Sequence, residues 1–192
     1  MTTTDLSSAD LSWMEHTIAG AEQPARMVML HASAERNTRT VLVEFPLGWR
    51  RDAVGNQPAG EEMIVLSGSL SMSGEKVPAG TYLMVEPLAT RSATFVDGPT
   101  RAVVWFSGPG GGWVDGEAEN AGSIRTAPVT TDLSREPSER LSGSLTVHED
   151  LSEQTFPTDV DVLWTDRGRW AHIPAGDVVP ALTGIAVVRH WG

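Results

Sequence analysis

Residues 60–106 read GEEMIVLSGSLSMSGEKVPAGTYLMVEPLATRSATFVDGPTRAVVWF, and this stretch decides the fold. Short apolar runs alternate here with turn signals such as Ser67-Gly68, Pro78-Ala79-Gly80 and Asp97-Gly98-Pro99. Each break contains a glycine, which accepts a positive φ, or a proline, which fixes φ. The runs are short and closely spaced, without the longer helical patterns that separate parallel strands. The stretch therefore predicts an all-β sandwich or barrel.

Similar runs occur on both sides of this stretch, while the N-terminus has a different pattern. There, Leu11, Met14 and Ile18 share one helical face and Asp5 is a candidate cap, which predicts a short helix over Leu6–Ile18. The predicted strands are Met27–Ala32, Arg39–Phe45, Glu62–Leu66, Ser69–Ser73, Thr81–Val85, Ser92–Phe95, Ala102–Phe106, Ser144–Val147, Val160–Trp164, Arg169–Ile173 and Gly184–Val188.

Composition limits the classes of partner and compartment. The chain has 192 residues, 40% of them hydrophobic, and a formal net charge of −11, which argues against a nucleic acid or an anionic membrane as partner. It has no cysteine, so disulfides, thiol nucleophiles and cysteine-ligated metals are excluded. The N-terminus lacks the pattern of a signal peptide, and no apolar run is long enough to span a membrane. We therefore expect a soluble cytoplasmic protein.

The chain is expected to divide into four parts. Residues 1–24 form an N-terminal segment, 25–108 a barrel, 109–126 a linker with many glycines, and 127–192 a β-rich extension or a shortened second copy of the barrel. Two short echoes favour a second copy. Leu66–Leu70 recurs as Leu141–Leu145, and Ala102–Gly108 resembles Ala186–Gly192.

The barrel segment resembles the cupin superfamily. Glu61–Gly68 is similar to the glutamate and strand of the first cupin motif, and Pro78–Pro87 to the glycine turn and strand of the second. Phe45–Trp49 resembles the family's turn before these motifs, so the resemblance covers about residues 25–108. It implies a double-stranded β-helix, a jelly-roll barrel with a pocket at one mouth.

The resemblance fails at the metal ligands. Where cupins place two histidines the chain has Gly55-Asn56-Gln57, where they place a third it has Arg91, and only Glu61 of the ligand set is present. Arginine stays protonated and repels a cation, so we expect no metal and no other cofactor. The distant His31, His148, His172 and His190 could supply ligands only by converging through tertiary structure.

The departures predict a pocket with an arginine–carboxylate cluster. Glu61 and Arg91 are the candidate catalytic residues, because an arginine can stabilise an anionic oxygen and a glutamate in an apolar pocket can act as general acid or base. A structural ion pair is the competing interpretation. The expected substrate-binding residues are Arg50, Gln57, Met63, Trp49, Trp105 and Glu44. This set includes residues of the faces Arg101/Val103/Trp105 and Thr40/Leu42/Glu44, which we expect to line the pocket.

These residues lead us to expect a metal-independent cupin enzyme that acts on a small oxygenated or aromatic metabolite. Its reaction would be acid–base chemistry of the lyase, isomerase or cyclase type. Two alternatives stay open: a non-catalytic module that binds or senses a small molecule, and a metal-dependent cupin dioxygenase with ligands from the second half. Cupins commonly pair through exposed strands, so a homodimer is expected.

Overall fold

The computed structural model describes residues 3–192, which divide into two compact units. Unit 1 contains residues up to 11 and residues 128–192, and unit 2 contains residues 12–127. The first strands of the chain are β1 (Thr4–Asp5), β2 (Met14–His16), β3 (Ala25–Ser33), β4 (Thr38–Phe45), β5 (Arg50–Arg51), β6 (Gly55–Asn56), β7 (Gly60–Ser67), β8 (Ser69–Met72), β9 (Glu75–Pro78), β10 (Thr81–Val85), β11 (Thr94–Val96), β12 (Thr100–Ser107), β13 (Val114–Asp115) and β14 (Ile124–Pro128). The remaining strands are β15 (Ser134–Arg135), β16 (Ser144–Leu151), β17 (Gln154–Thr155), β18 (Val160–Trp164), β19 (Arg169–Ile173), β20 (Val178–Val179) and β21 (Leu182–His190).

The all-β prediction is confirmed. Each predicted strand overlaps an observed strand, and the described residues 3–192 contain no α-helix. A single 3₁₀ turn, Thr165–Arg167, ends at Gly168, which has a φ of +57°. Within the same residues no helix has the length and hydrophobicity of a membrane span.

The predicted helix over Leu6–Ile18 is wrong. Leu6 is buried and lies in unit 1, whereas Met14, His16 and Ile18 belong to unit 2 and line a cavity there. These three residues are spaced by two, which is the period of a strand, and Met14–His16 pairs with β3 as an edge strand. The apolar residues of this segment therefore do not form one helical face. Leu6 packs in unit 1, and Met14 and Ile18 line the cavity of unit 2.

Unit 2 is built from two main antiparallel sheets around an apolar core. A seven-stranded sheet has the order β14-β10-β7-β12-β4-β3-β2, and a four-stranded sheet has the order β5-β11-β8-β9. The core includes the inner faces of both sheets, among them Val41, Val43, Met63, Leu70 and Val104. The strands β6 and β13 form a further two-stranded ribbon. Residues 109–126, which the sequence suggested as a linker, thus contain strands of unit 2.

Unit 1 has one six-stranded sheet, β1-β19-β18-β21-β16-β15, and a two-stranded sheet, β17-β20. Numbered by their order in the chain, five adjacent strands of this sheet run 4-3-5-2-1, from β19 to β15. The strands β10-β7-β12-β4-β3 of unit 2 run in the same order. Unit 1 therefore repeats the main sheet of unit 2 with a second sheet reduced from four strands to two.

The two sequence echoes differ in the structure. Ala102–Gly108 and Ala186–Gly192 both fall on the fifth strand of this arrangement, β12 and β21, so this echo joins equivalent positions. Gly68, however, follows the third strand, while Gly143 precedes the second. The recurrence of Leu66–Leu70 is therefore not a structural equivalence.

Gly68 forms the turn between β7 and β8, with a φ of +78°. A Cβ there would lie 2.4 Å from Thr100 Oγ1 and 2.5 Å from the Pro99 carbonyl oxygen. The Thr100 hydroxyl accepts a hydrogen bond from Ser69 N–H and donates toward the Ser69 and Gly98 carbonyls, so it has little freedom to move.

We predict that Gly68→Ala destabilises the protein by about 2 kcal/mol or more, because it combines backbone strain with a steric clash. Gly74→Ala is the matched control: Gly74 also has a positive φ, but a Cβ there meets nothing within 4 Å. Urea denaturation of both variants gives the two free energies of unfolding. Equal losses would contradict the role assigned to the Thr100 contact.

Two histidines of unit 1 are partly buried on its sheet. Burial lowers the pKa of His148, whose Nε2 lies 3.0 Å from Thr146 Oγ1. Burial also lowers the pKa of His190, and the charges of Arg189 and His148 lower it further. The unfolded chain therefore binds more protons than the native one just below pH 6.5.

Stability should consequently fall as the pH drops below about 6.5, the pKa of an unperturbed histidine. We expect His190→Asn to reduce the loss of thermal stability between pH 7.5 and pH 5, measured as the change in Tm. An unchanged slope in His190→Asn would count against this assignment.

Candidate functional site

Unit 2 contains a cavity of about 270 Å³. Its wall is largely apolar, and its polar lining residues are few. The apolar part includes Ile18, Met27, Met29, Val41, Val43, Phe45, Trp49, Met63, Leu70, Met72, Val104, Phe106 and Trp113. The polar part comprises His16, Arg39, Arg51, Gln57, Glu61 and Thr94. An apolar cavity with a few convergent polar groups is typical of a small-molecule site.

A row of three residues crosses the seven-stranded sheet at one end of the cavity. Phe106 on β12 pairs with Arg39 on β4 and with Glu61 on β7. Residues directly paired across neighbouring strands point to the same face, so all three face inward. The guanidinium of Arg39 lies over the Phe106 ring, 4.2 Å from its centroid, and its Nη1 donates to the Gly108 carbonyl at 3.4 Å.

Glu61 is held by a buried arginine. Arg91 is fully buried, its Nη2 lies 3.4 Å from Glu61 Oε2, and its Nη1 donates to the Ala89 carbonyl at 3.1 Å. The backbone of Arg91 exchanges two hydrogen bonds with Gly55, which fixes the start of the side chain. Within residues 3–192 the other carboxylate oxygen, Glu61 Oε1, has no hydrogen-bond partner.

A third guanidinium comes from the four-stranded sheet. Arg51 is 4% exposed, and its Nη2 donates to Thr94 Oγ1, on the paired residue of β11, at 3.1 Å. Its guanidinium lies 4.6 Å from the centroid of the Trp113 ring. Its Nε is buried and lacks a hydrogen-bond partner in the described part of the chain.

These groups give the cavity a positive charge. Burial lowers the pKa of Arg51 to about 10, while Glu61 acts in the opposite direction and Arg91 lowers it further. Burial also lowers the pKa of Arg39 and of Arg91, and Glu61 raises both. Three guanidinium groups thus lie near one carboxylate, which forms an ion pair with Arg91, in a protein whose net charge is −11. The cavity is therefore suited to an anion.

A strap formed by residues 109–116 runs beside the cavity. Val114 and Asp115 pair with Asn56 and Gly55, and the buried Asn56 donates from Nδ2 to the Gly116 carbonyl at 3.0 Å. Trp113 packs against Gly55 so closely that a Cβ on Gly55 would lie 2.4 Å from the ring. Asn56, which stands near the place of the missing histidines, therefore anchors the segment that carries Trp113.

The structure brings together most of the residues that the sequence suggested. Glu61, Met63, Trp49 and Gln57 line the cavity. Arg91 is not part of the lining and reaches the cavity only through Glu61. Arg91 is thus placed as a positioning residue rather than as a group that touches a ligand.

Three suggested residues lie elsewhere. Trp105 pairs with Glu62 and Thr40, so it faces away from the row that contains Glu61. Glu44 lies on the same outer face and forms ion pairs with Arg26 at 3.1 Å and Arg101 at 2.9 Å. The sequence-based choice of face is therefore wrong for both β4 and β12. The face opposite to the expected one lines the cavity in each strand. Arg50 is exposed and pairs with Asp52 at 2.6 Å.

Two cavity arginines, Arg39 and Arg51, were not predicted from the sequence, although the sequence contains a signal for both. Arg39 has the parity of Val41, Val43 and Phe45, which form the inner face of β4. Arg51 is two residues from the buried Trp49, so it faces inward where Arg50 faces outward. His16, on edge strand β2, was missed because its segment was expected to be helical.

The divalent metal that the cupin resemblance implies does not fit these residues. Glu61 is the single carboxylate in the cavity lining, and it already contacts the Arg91 guanidinium. Two more guanidiniums would repel a cation, and arginine cannot coordinate it. Among residues 3–192 no group of three or more histidine, aspartate and glutamate side chains could hold a metal ion. The metal-free state of the protein stays a prediction.

Unit 1 does not repeat the charged row. At the positions equivalent to Arg39, Phe106 and Glu61 it has Ser144, His190 and Val160, which are paired across β16, β21 and β18. His172 of this unit is held by Asp161 at 2.8 Å, and Asp159 lies 3.9 Å from its other nitrogen. The candidate site is therefore a property of unit 2.

Comparison with solved structures agrees on the fold. A protein from Nostoc punctiforme, described as a candidate dioxygenase, superposes with a TM-score of 0.73 at 10% identity, over 98% of this chain and 81% of its own. Protein Ylba from E. coli superposes with a TM-score of 0.56 at 14% identity, over 98% and 85%. A Ralstonia eutropha protein described as having a cupin-like fold matches 47% of this chain and 65% of its own at 18% identity, with a TM-score of 0.39.

At these identities the similarity concerns the fold alone. No protein-family model matches the sequence, and the comparison with curated proteins gives no match.

We predict opposite effects on stability for two buried arginines. Arg91→Met leaves the Glu61 carboxylate without its ion pair, so the free energy of unfolding should fall by about 3 kcal/mol. Arg51→Met removes a buried charge that has no carboxylate within ion-pair distance in the described chain, so stability should rise by about 1 kcal/mol. Urea denaturation without added ligand measures both.

Arg50→Met is the matched control on the neighbouring exposed residue, and it should leave stability unchanged. A loss of stability in Arg51→Met as large as that in Arg91→Met would contradict the description of Arg51 as an unpaired charge.

Proposed function

Because the chain has the cupin fold, we propose that unit 2 is a metal-independent enzyme that transfers a proton on a small organic anion. One observation carries the proposal: two guanidiniums and a single carboxylate line one apolar cavity, and a third guanidinium, that of the buried Arg91, contacts the carboxylate, in a strongly acidic protein. The neighbours with this fold leave the reaction open, because a fold supports many functions.

Binding is the first step. Arg39 and Arg51 line the cavity and have guanidinium nitrogens that can donate charge-assisted hydrogen bonds to a carboxylate or enolate oxygen. The aromatic and methionine side chains of the wall suit an apolar or aromatic body. The preferred ligand is therefore a small organic acid and not an inorganic anion.

Proton transfer is the second step. Glu61 lines the cavity, Arg91 engages its Oε2, and its Oε1 is left to accept a proton. We propose that Oε1 removes a proton from a carbon next to a carbonyl group of the bound acid. The C–H bond breaks, an O–H bond forms on Glu61, and the electron pair moves onto the carbonyl oxygen, where a guanidinium stabilises the negative charge.

Glu61 then returns the proton. Return to a different atom of the substrate gives an isomerisation. When the enolate instead expels a leaving group from the carbon next to the deprotonated one, a C=C bond forms, Glu61 gives its proton to the departing group, and the result is an elimination. Both outcomes need only Glu61 and the guanidiniums. Arg91 contributes by holding the carboxylate in place, so it acts as a positioning residue.

A non-catalytic binding module is the second candidate. It is favoured by the same contact that holds Glu61, because an ion-paired carboxylate can serve structure alone. This module would bind an organic acid without exchanging its protons.

Hydrogen–deuterium exchange tests the proposal. We expect the protein to accelerate, above the rate in buffer, the exchange in D₂O of the enolisable protons of phenylpyruvate, 4-hydroxyphenylpyruvate or 2-oxobutanoate, followed by proton NMR. Glu61→Gln keeps the shape but not the basicity, so exchange should fall by a factor of about 10² to 10⁴, or to the buffer rate.

Glu44→Gln is the control, since Glu44 lies on the outer face of the same sheet. Exchange at the buffer rate with all three acids, or equal exchange by wild type and Glu61→Gln, would show the enzyme proposal to be wrong. Binding of an acid without exchange would instead support the binding module. A stoichiometric amount of bound metal would favour the metal-dependent dioxygenase over both.

A further inference from the structure

Two of the three guanidiniums at the cavity have no carboxylate partner. Arg91 contacts Glu61, whereas Arg39 and Arg51 form no ion pair within residues 3–192. From this imbalance we infer that the substrate carries two negative charges, one bound at Arg39 and one at Arg51. The inference rests on the proposed function and specifies its substrate class.

Charge balance is the first argument. Three guanidiniums and one carboxylate leave two positive charges at the cavity. Arg51 is 4% exposed, and a charge that deep in an apolar wall is unfavourable unless an opposite charge approaches it. A monoanion would neutralise only one of the two, whereas a dianion neutralises both.

The placement of the two arginines is the second argument. Arg39 begins the inner face of β4 in the seven-stranded sheet, and Arg51 lies on β5 in the four-stranded sheet. They belong to different walls of the cavity, so they cannot act as one bidentate clamp held on a single strand. We assign one anion subsite to each, so a ligand that fills both must contact both walls of the cavity.

The aromatic support of each arginine is the third argument. Phe106 lies against the guanidinium of Arg39 at 4.2 Å, and Trp113 against that of Arg51 at 4.6 Å. A guanidinium is planar, and a ring that lies over it leaves its N–H groups pointing outward in the plane of the group. Such donors match the in-plane oxygens of a carboxylate or an enolate.

These features together specify the substrate as a small diacid with a flat apolar body. One ring or a short conjugated chain that carries two acidic groups suits a cavity of about 270 Å³. The second acidic group is either a carboxylate or an enolic or phenolic oxygen, since both present the same anionic oxygen to an arginine.

Calorimetric titration of the full chain tests the inference with isophthalate, which has two carboxylates on one ring, and benzoate, which has one. We expect isophthalate to bind at least about tenfold more tightly than benzoate, because it adds one charge-assisted contact. Arg39→Gln and Arg51→Gln should each reduce isophthalate affinity to about that of benzoate. Benzoate can use the remaining subsite, so its affinity should change by no more than about twofold.

Arg50→Gln is the matched control and should bind both ligands like the wild type. Arg39→Lys and Arg51→Lys keep the charge and should retain part of the isophthalate preference, so they remain informative if a glutamine variant fails to fold. Equal affinities of isophthalate and benzoate for the wild type would overturn the dianion while leaving the proposed anion site intact. Absence of binding by both ligands, with no effect of the arginine variants on proton exchange, would overturn the proposed function as well.

Discussion

Arg91 is fully buried, and its guanidinium meets the Glu61 carboxylate at 3.4 Å inside a wall of apolar side chains. A charge in that place is tolerable only because its partner is fixed, and the partner is fixed by its position on β7. The same strand register that turns Glu61 inward also turns Phe106 and Arg39 inward. The arrangement of the cavity therefore follows from one ion pair and the parity of three adjacent strands.

This dependence explains what the sequence predicts and what it does not. Short apolar runs separated by glycine and proline predict the strands, and the cupin resemblance predicts that Glu61 faces the pocket. The predicted face of β12, which contains Trp105, is the wrong one, because the register of β12 to Glu61 is not known before the strands are paired. Arg39 is two residues from Val41, and Arg51 is two residues from Trp49. Because side chains alternate along a strand, both arginines could have been predicted to face inward from the sequence.

Other features depend on contacts between residues that are far apart in the sequence, which a local sequence pattern cannot predict. The strap around Trp113 is held by Asn56 and by a glycine that leaves room for the indole ring, and these partners lie more than fifty residues apart in sequence. The Leu6–Ile18 segment shows apolar spacing that suits a helix, yet its residues divide between two units. The repeat was visible in one echo, but only the common strand order of the two sheets distinguishes it from the accidental second echo.

Comparison of the two units also shows which of them contains the candidate site. Unit 1 keeps the order of the main strands, but it has Ser144, His190 and Val160 where unit 2 has Arg39, Phe106 and Glu61. Its second sheet is reduced to two strands of two residues each. We interpret unit 1 as a copy that retained the scaffold, and unit 2 as the copy that carries the site.

We propose that the cavity of unit 2 attracts anions in the place where the cupin resemblance implies a metal. Anomalous diffraction from crystals soaked in sodium bromide, and separately in manganese chloride, tests this claim directly. We expect bromide within hydrogen-bond reach of the Arg39 and Arg51 guanidiniums and no manganese at Glu61. Manganese bound to Glu61, with no bromide in the cavity, would contradict it.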